Sequence, residues 1–220
     1  MMRGMANPAQ LLHAFLSGQR KVESYPDPQQ QRIAVSHLDA IEELLARMDA
    51  AEMRTALYRR HFDRWVELTL RIPQAWQPAA KRHIDDRALE NLDHLADRLG
   101  DLVQKIEPGG LDTVRDYVSS VRELLDSDHS VQDFSLRQHL LQVIAHVNWC
   151  LDNFKAVGEF NLQEAIERLA AAMIRVTAHS KQKDRWRDVL NNVVWPFATN
   201  AAASIAVAPA TLAITTAFGG

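Results

Sequence analysis

Arg32 and His37 stand five residues apart in a stretch patterned as a helix, a cation and a titratable imidazole that together could act on a phosphodiester. Glu90, Asp93, His94 and Asp97 recur at helical spacing on one face and are donor types for a divalent metal. That face flanks a leucine stripe, where a solvated acidic edge is the simpler reading. His139 and His146 share a face two turns apart, with Cys150 one turn further on. Residues i and i+7 lie roughly 10 Å apart along a helix, too far for one ion. Asp126, Asp128 and Ser130 alternate like the first ligands of a calcium loop. Its sixth position, however, is Val131 where glycine is needed, and its twelfth is Arg137 where a bidentate glutamate is needed. Capping of a helix by Ser130 or Asp133 fits that stretch better. No HExxH or paired Glu-x-x-His motif occurs, so neither a metal nor a cofactor is expected.

A second cluster is basic and aromatic: Arg54, Arg59, Arg60 and Arg64, with His61, Tyr58 and Trp65. It is a candidate surface for phosphates or an acidic partner. Glu52, Asp63 and Glu67 balance it, which favours an ordinary exposed helix face. The formal net charge of -3 gives no global attraction to nucleic acid, which is not an expected partner. No Walker loop, GxSxG elbow or other glycine-rich phosphate cradle is present. No residue set argues for an enzyme, and the only catalytic candidates are Arg32 and His37. Their spacing is similar to the Arg-x4-His pattern of helical HEPN-type ribonucleases, which implies RNA cleavage across a dimer. The polar residue that commonly follows the Arg in that family is Ile33 here. With 19 Arg and nine His, the spacing also arises about once by chance.

The elements that must position these residues are helices. Apolar residues recur at a helical period throughout, and the eight Gly and eight Pro fall mostly at breaks. Asn7-Pro8 and Asp27-Pro28 each offer a cap followed by proline at the first helical position. After the second, Ala34, Leu38, Ile41, Leu45 and Met48 form a 4-3-4-3 stripe. Further helices are expected over about 51–72, 78–106, 112–125 and 133–154. A last one, capped by Asn161 and Glu164, is expected to run to about His179. The fold class is therefore all-α, an antiparallel bundle of about seven helices. Residues 1–180 are read as the bundle, with 73–78 a possible hinge. Residues 181–220 are read as a basic, Trp-containing junction and an apolar segment. Cys150 is the only cysteine, which favours a reducing compartment, and the N-terminal region lacks a signal-peptide pattern. The expectation is a cytoplasmic protein, held at the inner membrane if the C-terminal segment engages it.

That segment is the most unusual part of the chain. Asp188 is the last charged residue, and Val189 to Gly220 carry none. Lys181, Lys183, Arg185 and Arg187 precede it, and Trp186 and Trp195 bracket the junction, a pattern suited to an interfacial anchor. Ile205, Val207, Leu212, Ile214 and Phe218 are its strong apolar residues. Together they favour insertion by roughly 2–3 kcal/mol. Ser204, Asn200, Pro209 and the threonines oppose it, so the segment makes a weak span. Small residues at Ala202, Ala206, Ala210, Ala213 and Ala217 would allow close helix approach. The expected company is a membrane surface or bilayer, a homo-oligomer, or a protein partner.

Leu136-Arg137-Gln138-His139-Leu140-Leu141 and Gly158, within Leu124–Ile174, resemble a loosely defined set of bacterial helical proteins. In these, a Ser-Asp turn and a Leu-Arg-x-x-Leu-Leu helix precede a final helix and an apolar tail. The resemblance covers about a quarter of the chain. It implies a prokaryotic or phage-borne helical protein and supplies no catalytic residues. The functional expectation is a sensor or interaction domain that controls the apolar segment, as in membrane-disrupting effectors of bacterial conflict systems. The alternative is a soluble adaptor whose tail completes the core or a homo-oligomer. A HEPN-like ribonuclease comes last.

Overall fold

A computed structural model describes residues 7–19, 27–71 and 84–191. Among these the chain is all-α, with eight helices: α1 (Pro8–Gln19), α2 (Pro28–Ala50), α3 (Ala56–Arg71), α4 (Asp86–Leu99), α5 (Gly110–Ser127), α6 (Phe134–Asp152), α7 (Phe154–His179) and α8 (Lys183–Asn191). The start signals act as their chemistry predicts. Asn7 Oδ1 accepts from the Gln10 amide at 3.1 Å and Asp27 Oδ1 from the Gln29 amide at 3.1 Å, each with proline at N1. Asp133, not Ser130, caps α6, accepting from the amides of Ser135 and Leu136.

The chain divides into two compact units. In the described residues, unit one comprises 7–19, 27–71, 84–103 and 155–160; unit two comprises 104–154 and 161–191. Residues 181–191, the described part of the stretch read as junction and apolar segment, belong to unit two. The hinge proposed at 73–78 lies outside the described residues.

In unit one α1 packs on α2 and α4, α2 on α3, and α3 on α4. The α2 stripe from Ala34 to Met48 is buried, as are Leu92, Leu95 and Leu99 of α4. Each such leucine removed from water contributes roughly 1.5–3 kcal/mol. Two helices are shorter than their periodicity suggests. Helix α3 starts at Ala56 rather than about 51 because Glu52 adopts φ 57°, closing α2 with Met53 N–H to Met48 C=O and Glu52 N–H to Asp49 C=O. This is a Schellman closure with glutamate in the left-handed position usually given to glycine. Helix α4 ends at Leu99 with Gly100 as its cap, although Leu102, Val103 and Ile106 continue the buried pattern beyond it. Burial there comes from a turn that keeps the apolar side chains inward.

In unit two α5 packs on α6 and α8. Val114, Val118, Val121 and Leu125 of α5 and Leu140, Ile144, Val147 and Leu151 of α6 are buried. So are Ile166, Leu169, Met173 and Val176 of α7 and Trp186 and Leu190 of α8. Helix α7 begins at Phe154, not at the expected Asn161–Glu164 cap, and carries a break at Gly158 (φ 78°, ψ 177°). That conformation is essentially restricted to glycine. Gly158 lies within residues 155–160 of unit one, and the chain passes to unit two between residues 160 and 161.

Candidate functional site

Asp128 ends α5 and lies at 0% exposure, a carboxylate taken wholly out of contact with water. Such a group persists only where hydrogen bonds replace its hydration. Here they are numerous. Oδ1 accepts from the Ser130 amide at 2.9 Å, from Ser130 Oγ at 2.5 Å and from Gln182 Nε2 at 3.2 Å. Oδ2 accepts from Trp186 Nε1 at 2.8 Å and from Ser180 Oγ. Ser130 Oγ in turn accepts from the Lys181 amide, and Arg137 donates to the Asp128 carbonyl at 3.0 Å. Burial pushes the carboxyl upward, but the bonds from Ser130, Ser180 and Trp186 outweigh it and hold the group down to about 2. The carboxylate is therefore charged at any ordinary pH.

The position of this node gives it functional interest. Ser180, Lys181 and Gln182 form the link between α7 and α8, and Trp186 lies on α8 itself. The Asp126–Ser130 stretch that begins like a calcium loop thus turns inward and binds the helix that leads to the uncharged segment. The sequence marked Trp186 as an interfacial residue. In the structure its indole is fully buried, so it packs inside unit two and donates to Asp128.

The other predicted residues are dispersed. Arg32 is exposed on α2, whereas His37 is 2% exposed and donates from Nε2 to the Ala156 carbonyl at 2.9 Å. Five residues along a helix turn the side chains about 140° apart. The pair therefore does not converge on a common substrate position. A carbonyl only accepts, so Nε2 carries the proton and Nδ1 faces inward without a partner among the described residues. Burial lowers the imidazole to about 4, against the Ala156 bond, so it is neutral at neutral pH.

In the basic cluster Arg59 pairs with Asp49 at 2.5 Å and Arg64 with Glu67 at 2.5 Å, while Arg54 and Arg60 are exposed. Half the cluster is thus neutralised. Glu90, Asp93, His94 and Asp97 are exposed beside the leucine stripe. Among the described residues no three His, Cys, Asp or Glu side chains gather to hold a metal. Cys150 is buried, and burial pushes its thiol up to about 12, which makes it a poor nucleophile. Trp195, Ile205, Val207, Leu212, Ile214 and Phe218 lie outside the described residues. Among the described residues, no helix is long and apolar enough to cross a membrane.

Sequence reasoning discounted Asp128 as a failed metal ligand and missed its role. A signal was present: an Asp-rich break in a helical chain, with a Ser-x-Gln link and a Trp downstream as donors. No protein-family model, no curated protein and no solved structure matches this chain.

Proposed function

We propose that this chain is a non-enzymatic helical module that restrains its uncharged C-terminal segment and yields it to a membrane surface. The observation that carries the reading is the Asp128 node, which fastens the α7–α8 link and Trp186 directly ahead of the charge-free residues. A buried carboxylate with five donated bonds makes a rigid root for such a segment. Loss of the bonds from Ser180, Gln182 or Trp186 loosens α8 at its first turn. The pairing of a rigid root with a weakly apolar extension suits conditional engagement better than permanent anchoring.

The second reading, a soluble adaptor or homo-oligomer with the segment as part of a core, is favoured by the burial of Trp186. An indole inside unit two leaves the junction without its nearer interfacial ring. Vesicle flotation separates the two. Full-length protein carrying Asp128→Asn is expected to float with anionic vesicles more than the unsubstituted chain. Adding Ile205→Asp and Leu212→Asp is expected to abolish that gain, with circular dichroism confirming the helices. Absence of flotation in every variant, with a constant oligomer on sizing, would overturn the membrane reading in favour of the second.

A further inference from the structure

Helix α6 carries two opposed stripes. Leu140, Ile144, Val147 and Leu151 are buried. On the other side Phe134, Gln138, Gln142, Ala145 and Trp149 follow helical spacing and are exposed. Phe134 is 72% and Trp149 38% exposed, and the His146 ring stacks on Trp149 at 6.1 Å between centroids with an interplanar angle of 10°. Between Arg137 and Asp152 the helix has no Asp, Glu, Lys or Arg. A helix side turned to water ordinarily carries such charge. Neighbouring α5 does, with Asp112, Asp116, Arg122, Glu123 and Asp126 all exposed. Aromatic rings with no charge among them have the composition of an interface centre rather than of a solvated side.

We infer that this face binds the same face of a second copy of the chain, with the two α6 helices antiparallel about a two-fold axis beside Gln142. Two observations select this occupant. The first is charge. In a two-fold contact the residues near the axis meet their own copies, so a charge there repels itself. The stretch from Gln138 to Leu151 has no Asp, Glu, Lys or Arg to do so. A strongly charged partner, by contrast, finds nothing here to recognise. The second is the order of side-chain sizes. Laid antiparallel, the face sets Phe134 opposite Trp149 of the partner copy and Gln138 opposite Ala145. Each ring meets a ring, twice by symmetry, and a small residue faces a longer one near the centre, so the axes can approach to about 8–10 Å. A parallel pair would set Ala145 on Ala145 and Gln138 on Gln138, one layer loose and the other crowded, and would align the two helix dipoles. One helix face is small beside the roughly 800 Å² per partner of a standard interface, so the pair is a reversible dimer. The contact needs only α6 and is independent of where the charge-free segment goes.

Sedimentation of the full chain over about 1–100 μM tests this. A monomer–dimer equilibrium is expected, weakened about tenfold or more by Phe134→Asp or Ala145→Asp. Both side chains are exposed, so circular dichroism should not change. Gln142→Cys, beside the axis, is expected to cross-link into a disulfide dimer under mild oxidation. Ser119→Cys, exposed on α5, is the off-face control, and the buried Cys150 makes the unsubstituted protein the blank. A monomer throughout the range would overturn the inference. So would a dimer that neither Asp substitution weakens, or cross-linking at Ser119 as efficient as at Gln142. The chain carrying Ile205→Asp and Leu212→Asp separates this contact from association through the C-terminal segment. The dimer is expected to persist in that chain, and its loss there would assign the association to the segment and remove the α6 contact.

Discussion

In unit one four side chains from different elements are tethered to separate backbone carbonyls, whereas in unit two four side chains converge on one carboxylate. In unit one Asn7 Nδ2 donates to Ala96 at 2.7 Å, Gln31 Nε2 to Thr69 at 2.6 Å, Trp65 Nε1 to Ala88 at 2.8 Å and His37 Nε2 to Ala156 at 2.9 Å. Each tether joins a different pair of segments and uses an uncharged acceptor. In unit two Ser130, Ser180, Gln182 and Trp186 all converge on Asp128. Distributed tethers fail one at a time. A node fails at once.

Asp128→Ala is therefore expected to produce the largest effect. It strands four side-chain donors and a backbone amide in a dry site and should cost about 3–5 kcal/mol in a urea titration followed by circular dichroism. The matched deletion in unit one, Gln31→Ala, removes one neutral bond and should cost about 1 kcal/mol. Similar losses for both would mean that the node is no more than the sum of ordinary bonds, and the contrast would disappear.

Acid should separate the units next. His37 binds a proton at about 4 in the fold against 6.5 in the unfolded chain. Above pH 6.5 both states hold it neutral and the stability of unit one is complete. As pH falls towards 4 the unfolded chain takes up a proton that the fold refuses. Stability then drops by roughly 3 kcal/mol across that window. Asp128 behaves in the opposite sense on the charge scale. Its carboxylate form stabilises the fold fully above 3.8, and the contribution is lost as pH falls towards 2. Unit one is thus expected to weaken first. The urea midpoint measured from pH 7 to 4 should fall in the unsubstituted protein and stay nearly level in His37→Leu. A slope that survives the substitution would assign the titration to another group.

How much of this was legible in the sequence follows from the same contrast. The helices were, because the stripes of α2, α4 and α6 repeat at a helical period and Asn7-Pro8 and Asp27-Pro28 mark the starts of α1 and α2. Helix ends were less so. Glu52 in a left-handed conformation and Gly158 inside α7 are backbone states that composition alone does not announce. The tethers of unit one were invisible, since every residue carries a carbonyl and nothing marks Ala88 or Ala156 as an acceptor. His37 was read as chemistry although its position, in register with Ala34 and Ile41, places it on the buried side. Asp128 left a visible trace in Asp126–Ser130, but its partners lie some fifty residues away, and pairing them needs the folded chain.

The smallest expected effect sharpens the comparison most directly, because it uses the same side chain in both settings. Trp65 and Trp186 are each at 0% exposure, and each donates its indole N–H at 2.8 Å. Replacing either by Phe removes similar apolar area and one donor, so the packing losses nearly cancel between the two variants. What remains is the acceptor. Trp65→Phe leaves the Ala88 carbonyl with its place in the α4 ladder, a loss of about 0.5–1.5 kcal/mol for a neutral bond. Trp186→Phe takes one donor from a buried carboxylate, where a bond to charge is worth about 1.5–3 kcal/mol. The difference between the two, about 1 kcal/mol, should appear in urea midpoints at pH 7 and shrink as pH falls towards 2, where Asp128 takes up its proton in the fold. A difference that is constant with pH would place its origin in packing around the rings rather than in the charge beneath one of them.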